Sequence, residues 1–308
     1  MQTAYITHPS CLKHEMHEHH PECPQRIKAI EDQLAAKGLM NFLHHYDAPK
    51  ANIPELERAH ERQYVEIIFN NAPSRGLQQL DPDTSMNEFT LKAAQHAAGA
   101  GILATDLVVS GKVKRAFCNV RPPGHHATKK EAMGFCVFNN VAIAALHAIE
   151  HHKLKRVAIV DFDVHHGNGT EDILAHHPQV LFCSTYQHPY YPNSAGESIE
   201  AKMVNVPLPL GTKSVDYRHA VQDTWLPALK KFKPEIIYIS AGFDSHIDDE
   251  MGGFSLLDSD FIWLTDEVCK IANDSAQGRV ISMLEGGYDL VSLGRCATEH
   301  VRVLMGLH

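Results

Sequence analysis

The sequence predicts an α/β fold, a parallel sheet with helices on both faces. Three observations carry that reading. Short apolar runs rich in β-branched residues recur along the 308 residues. Most are continuous rather than alternating, the pattern of strands buried on both faces. Longer stretches of helical periodicity lie between them, and alternation of strand and helix implies a parallel sheet. Polar clusters follow four of the runs, at the carboxyl ends where open α/β sheets place their ligands.

The elements follow in chain order. An Ala-rich helix is expected over 87–109 and a strand over 113–120 (VKRAFCNV). A helix opened by an Asn cap is expected over 139–151, then strands over 156–161 (RVAIVD) and 180–185 (VLFCST). A helix over 215–231 leads to a strand over 236–240 (IIYIS). A helix over 259–273 ends before a Gly and leads to the last strand, 280–284 (VISML). The stretches 48–54 and 70–83 are the most irregular, yet neither breaks the composition. No repeat or linker is visible, so one domain over 1–308 is expected.

Composition excludes several classes. Hydrophobic residues are 44% and charged residues 21%, ordinary for a globular protein. No apolar run reaches the roughly 18 residues a membrane helix needs. The opening MQTAYITHPS has no basic stretch followed by an apolar core, so no secretory leader is expected. A net charge of −9 argues against a general nucleic-acid binder. The seven cysteines are scattered, odd in number and without a CxxC pair, which favours free thiols and a cytoplasmic setting. The 23 histidines are in excess and are a reason to look for a metal site.

The polar clusters carry the chemistry. RPPGHH presents His125 and His126, DFDVHHGNGT presents Asp161, Asp163, His165 and His166, AGFDSH presents Asp244, and EGGYD presents Tyr288. Asp163 and His165, two apart at a strand end, point to one face, and Asp244 can supply a third ligand to one ion. Three protein ligands leave a position open, the catalytic pattern for zinc. One of His125 and His126 can take a proton from water, while the other tunes it or protonates a leaving group. Asp161 is a candidate to stand behind a ring, and Tyr288 to donate to a developing oxyanion. Together they spell metal-assisted hydrolysis of an amide or ester. The doublets His151-His152 and His176-His177 are expected to be surface residues, and His14, His17, His19 and His20 a polar loop. Glu22 and Arg26 are expected to pair.

These residues resemble the zinc-dependent histone deacetylase family of the arginase/deacetylase superfamily. The matching stretches are HPECPQRI (20–27), RPPGHHA (121–127), GFCVFNN (134–140), DFDVHHGNGT (161–170), SAGFDSH (240–246) and LEGGYDL (284–290). Asn168, in place of an acid, resembles the class II branch and its bacterial relatives, including acetylpolyamine amidohydrolases. The resemblance implies a single arginase-like α/β domain with a mostly parallel sheet of about eight strands. It implies one Zn2+ on Asp163, His165 and Asp244. It makes His126 the general base, backed by Asn168, and His125 its tuned neighbour, backed by Asp161. Tyr288 polarises the scissile carbonyl.

The resemblance also reaches the substrate tunnel. Phe135 and Tyr191 match its walls, Gly134 and Arg26 lie near its floor, and Asp81 or Asp83 matches a rim acid. Met251 matches the mouth position, and a one-residue slip would put Glu250 there. A structural K+ is implied on Asp161, the carbonyls of Asp163 and His165, the Ser184 hydroxyl and the Thr185 carbonyl. Thr185-Tyr186 stands where Leu-His is usual. The two-manganese ureohydrolase branch is excluded, because Asp244 is followed by Ser245-His246 and a second metal's ligands are missing. The implied substrates are acetyl-lysine in a protein or peptide, or else an acetylated small amine. A remoter alternative is a non-catalytic metal-dependent binding protein. Neither a membrane nor a nucleic acid is expected as partner.

Overall fold

The computed structural model describes residues 2–193 and 202–307. Ten strands are formed: β1 (Thr3–Thr7), β2 (His44–Asp47), β3 (Gln78–Asp81), β4 (Thr84–Met86), β5 (Arg115–Cys118), β6 (Val157–Asp161), β7 (Val180–Gln187), β8 (Met203–Leu208), β9 (Ile236–Ala241) and β10 (Val280–Leu284). Eight of them make one sheet in the order β2-β1-β5-β10-β9-β6-β7-β8. Every pairing in it is parallel. β3 and β4 form a separate antiparallel hairpin.

The helices are α1 (Gln25–Ala36), α2 (Ile53–Leu56), α3 (Arg62–Asn70), α4 (Thr90–Val109), α5 (Asn140–Glu150), α6 (Asn168–Leu174), α7 (Ser214–Asp223), α8 (Trp225–Phe232), α9 (Asp258–Ser275) and α10 (Leu290–Leu304). They divide between two apolar layers. Val157, Ile159, Tyr238 and Ile281 pack with α3, α4 and α5 on one face. Ala158, Val160, Ile237 and Ile239 pack with α1, α8, α9 and α10 on the other. Successive strand residues thus enter opposite cores, which is why these runs read as continuously apolar.

All five expected strands are present, and three members of the sheet were not expected. β2 (HHYD) and β8 (MVNVPL) are the edges, and their polar residues hide them from a search for buried runs. β1 is a buried five-residue strand, TAYIT, close to the amino terminus. The helix expected over 215–231 is two helices broken at Thr224. Pro227 explains the break, since its ring clashes with the carbonyl four residues back, at Asp223. α4 begins at Thr90 rather than at 87, because the Asn87 side chain accepts from the Phe89 amide (3.1 Å) and the Thr90 hydroxyl (2.9 Å) and shapes the preceding turn. Asn139 caps α5 as read, accepting from the Ala142 amide at 3.0 Å.

The amino-terminal histidine loop corrects a second expectation. His17 and His19 are exposed, but His14 and His20 are buried. His14 bonds the Thr90 hydroxyl at 2.8 Å and lies 3.4 Å from Glu22. Glu22 pairs with Arg26 as expected (3.0 Å), and also with Arg121. All four groups are buried. Arg121 donates as well to the carbonyls of Cys11 (2.7 Å) and His14 (3.0 Å), which fastens this loop to the turn that carries His125.

His60 sits beneath the cap of α5, with Nδ1 on the Thr128 carbonyl (2.8 Å) and Nε2 accepting from the Asn139 amide (2.9 Å). Only a neutral ring satisfies both contacts. Burial pushes its pKa down to about 4. The unfolded chain binds a proton here below about pH 6.5 and the folded chain does not. This residue therefore withdraws about 3 kcal/mol of stability as pH falls from 6.5 to 4. His60→Gln should flatten the plot of unfolding free energy against pH by that amount. Parallel plots for the two proteins would contradict it.

Candidate active site

The four polar clusters follow β5, β6, β9 and β10, which are consecutive in the sheet as β5-β10-β9-β6. Adjacent parallel strands end at one edge, so the clusters converge there. Asp163 Oδ1 accepts from the His165 amide and lies 2.9 Å from His165 Nδ1. Asp244 Oδ2 lies 3.2 Å from the same nitrogen. The three side chains are buried, with potential ligand atoms within 4.8 Å of one another.

Electrostatics shows what this cluster needs. Burial, then the charge of Asp163, pushes the Asp244 carboxyl up to about 7. Burial opposes charge on His165, but the two carboxylates outweigh it and hold the ring up at about 10. A proton on His165 thus stands between two buried carboxylates, the position a cation would take. Two oxygens and one nitrogen suit a borderline divalent ion such as zinc. Backbone amides fix the carboxylates, Gly286 donating to Asp163 Oδ2 (2.8 Å) and Val164 to Asp244 Oδ1 (2.9 Å). A Cβ at Gly286 would stand 2.1 Å from Asp244 Oδ2, so a side chain there excludes the carboxylate.

The two turn histidines differ in partner. His125 Nδ1 meets the Asp161 carboxylate at 2.9 Å, whereas His126 Nδ1 meets the neutral Asn168 amide oxygen at 2.7 Å. Burial works against charge on both. The carboxylates of Asp161, Asp163 and Glu285 overcome it at His125 and raise its pKa well above 6.5. At His126 the charges of His125 and His165 add to burial and push the pKa well below 6.5. The two neighbouring rings therefore favour different states, His125 charged and His126 neutral. The His125 and His126 ring centroids are 4.0 Å apart.

A cavity of about 170 Å³ opens over this cluster. His126, His165, Gly134 and Tyr288 line it together with Phe135, Tyr190, Tyr191, Met251 and Asp83. Phe135 meets Tyr288 edge-on with centroids 5.9 Å apart, and Tyr191 meets His126 edge-on at 5.2 Å. Gly134 and Phe135 both have positive φ, 55° and 67°. At Gly134 a Cβ would stand 2.4 Å from the His126 ring. The unusual Phe135 conformation is held by the β3–β4 hairpin: Thr84 Oγ1 accepts from the Phe135 amide (3.0 Å) and Asp83 Oδ1 from the Gly134 amide (3.2 Å).

Open alternatives resolve into positions. Asp83 lines the cavity, and Asp81 stands behind it, accepting from the Asp83 amide at 3.0 Å. Burial and the neighbouring Asp83 push the Asp81 carboxyl up to about 6. Met251 lines the cavity, while Glu250 lines an adjoining one with Asp248, Asp249 and Asp289. Arg26 lies behind the Gly286-Gly287 turn rather than at the cavity floor. It donates to the Gly287 carbonyl (2.6 Å), and its guanidinium sits 4.9 Å from the Tyr288 ring centroid. Asp161 and Ser184, two of the residues matched to potassium, are register partners on β6 and β7. The Ser184 hydroxyl lies 3.1 Å from His166 Nδ1, and the Thr185 hydroxyl 2.9 Å from that of Tyr217.

Sequence reasoning missed three contributors. Tyr190 lines the cavity one position before Tyr191. Glu285 is buried, accepts from the amides of Gly124 (2.7 Å) and His125 (3.1 Å), and is pushed by burial up to about 7. Its signal was an acid directly after an apolar strand. Asp249 Oδ2 accepts from the amides of Tyr288 (2.6 Å) and Asp289 (3.0 Å) and so sets the Tyr288 turn. His151 is exposed and His152 half-buried, as expected of surface residues, and at the carboxyl end of α5 they gather with His147 and Asp106.

Fold and cluster together define a class, the parallel α/β proteins with a carboxylate–imidazole centre at the carboxyl ends of the strands. The chain belongs, within that class, to the histone deacetylase domain family, whose model matches residues 20–304. It is 35% identical to histone deacetylase 14, chloroplastic, of Arabidopsis thaliana, over 94% of this chain and 74% of that protein. It is 36% identical to the polyamine deacetylase HDAC10 of Homo sapiens, over 99% of this chain and 48% of that protein. The crystal structure of the HDA15 HD domain superposes with a TM-score of 0.93 at 33% identity, covering 99% of this chain and 88% of that one.

Two variants probe the site. Gly286→Ala should weaken zinc retention about 10–100-fold, measured by competition with a chelator, because the new methyl displaces a carboxylate. Unchanged retention would deny Asp244 its part in the cluster. Asn168→Asp should raise the basicity of His126 and carry the acid limb of the kcat/KM profile to higher pH, since the base is then protonated at higher pH. An unmoved limb would remove His126 as the titrating base.

Proposed function

We propose that this chain is a zinc-dependent deacetylase that removes acetyl groups from lysine side chains of proteins or peptides, with residues 1–308 as one catalytic domain. One observation carries the reading: the buried Asp163–His165–Asp244 cluster lies beneath a narrow aromatic-walled cavity, flanked by a neutral His126 and by Tyr288. Those three residues would hold the ion. Zinc, when bound, supplies Lewis-acid chemistry that polarises a carbonyl and acidifies water.

The chain's own groups do the rest. His126 takes the proton of the attacking water at Nε2 and returns it to the leaving amine nitrogen as the C–N bond breaks, while Asn168 accepts from Nδ1–H and keeps the ring oriented. His125, charged against Asp161, holds positive charge beside the reacting centre. The Tyr288 hydroxyl donates to the amide oxygen as it gains charge. Phe135 and Tyr191 wall the slender stem of the substrate, and Gly134 leaves room for the His126 ring. Met251 adds apolar surface, and Asp83 accepts from substrate amides at the mouth. At roughly 30 Å³ per water, the cavity holds about six waters' worth of volume, room for an acetyl group on an aliphatic stem. Potassium on Asp161, Ser184 and the carbonyls of Asp163, His165 and Thr185 would offset buried charge behind the site.

A second reading is a small-molecule deacetylase of the acetylpolyamine type. The acidic cavity beside the mouth favours it, since Glu250 and Asp248 can attract a distant ammonium group. Among the described residues no helix is long and apolar enough to cross a membrane. Seven free cysteines support a cytoplasmic setting.

Rates of acetyl release from an acetyl-lysine peptide and from N-acetylputrescine test the two readings. A higher kcat/KM on the peptide supports the first, and the reverse order the second. Tight hydroxamate binding without turnover on either would replace both with a binding role. Tyr288→Phe should lower kcat about 10²–10³-fold, the scale of losing one oxyanion donor. Near wild-type turnover would remove its assigned part.

A further inference from the structure

We infer that the carboxyl end of α5 carries a second, distal metal site, built from His147, His151, His152 and Asp106 and suited to a divalent ion of the zinc type. His147 and His151 are four apart on one helix, the spacing that sets two imidazoles on one face. Their rings stack, with centroids 4.9 Å apart and planes 8° from parallel. His151 is the C-cap residue of α5 and His152 follows directly, its centroid 4.8 Å from that of His151 and 5.3 Å from that of His147. Asp106 reaches across from α4. Its Oδ1 lies 2.8 Å from His147 Nε2 and 2.7 Å from His152 Nε2, so both rings turn the same nitrogen toward one oxygen. One potential ligand atom from each of the four residues lies within 4.8 Å of the others.

The donor set differs in kind from the one at the active site. Three imidazoles and one carboxylate would supply four protein ligands, the number that closes a tetrahedral zinc position. Asp106 would be the only anionic ligand. The adjoining charges balance, because Arg58 pairs with Glu150 at 3.3 Å. Arg58 also meets His147 Nδ1 at 3.1 Å. When the Nε2 lone pair binds the ion, the ring's hydrogen sits on Nδ1, and Arg58 must leave that nitrogen and keep Glu150 as its partner. Only His147 is deeply buried, so an ion enters from solvent without opening the core. A bound ion would lock α5 to α4. The same α5 is capped by Asn139, which also bonds the Ala127 carbonyl (3.1 Å) next to His126.

The test counts zinc on the full chain. Metal-stripped protein is dialysed against micromolar Zn2+, and the bound ion is measured for wild type, His151→Asn/His152→Asn and Asp163→Ala. Wild type should hold about two ions per chain, and each variant about one. Deacetylation by His151→Asn/His152→Asn should stay at the wild-type rate. With Co2+ as probe, Asp163→Ala should keep a tetrahedral absorption band that the His151→Asn/His152→Asn change abolishes. Equal zinc counts in wild type and His151→Asn/His152→Asn overturn the distal site, whatever Asp163→Ala does. One ion in wild type, lost only with His151 and His152, would support the distal site and overturn the zinc reading of the active site.

Discussion

Four carboxyl groups, those of Asp161, Asp163, Asp244 and Glu285, are buried at one edge of one sheet. Isolated charges in that setting are heavily penalised, so each must be met by a partner. The partners include turns that end other strands of the same sheet. Glu285, after β10, holds the amides of the turn after β5. Asp244, after β9, holds the turn after β6 at Val164, and Asp163, after β6, holds the turn after β10 at Gly286. Three of the four acids therefore hold another strand's turn through its backbone amides, while Asp161 meets the His125 ring at 2.9 Å. Beyond these ties Asp163 and Asp244 share only the His165 ring between them, and that is the electrostatic case for a cation there.

A second layer of support comes from outside the sheet. The Glu22 carboxylate lies between Arg26 and Arg121, and Arg26 reaches the Gly287 carbonyl behind Tyr288. Burial of such a cluster is weak evidence for stability, because desolvation offsets much of the attraction. Its clear effect is positional: one carboxylate connects the amino-terminal loop, the His125 turn and the Tyr288 turn. The β3–β4 hairpin does the corresponding task for Phe135 through Thr84 and Asp83.

Much of this was legible in the sequence, for a physical reason. Residues that sit two apart at the end of a buried strand, such as Asp163 and His165, declare their common face by spacing alone. The four clusters after β5, β6, β9 and β10 were visible as a set. Their adjacency was not, because strand order depends on long-range packing that no local pattern records. The polar edge strands β2 and β8 lacked the buried pattern that betrays a strand. Glu285 and Asp249 act through backbone amides, and an acid that accepts from an amide looks in sequence like any other acid. His151 and His152 lie at the surface as read, but their grouping was hidden because Asp106, which His152 contacts, lies over forty residues away.

The polar character of the two edge strands bears on how copies of the chain meet. A sheet recruits another chain by offering a straight row of unpaired amides and carbonyls. β2 is only four residues long and carries the polar side chains of His44, His45 and Asp47. β8 contains Pro207, which has no amide hydrogen to give. Sheet extension from one molecule to the next is thus discouraged at both ends, and association in solution would run through helices and loops, leaving the hydrogen-bonded framework of each molecule closed on itself.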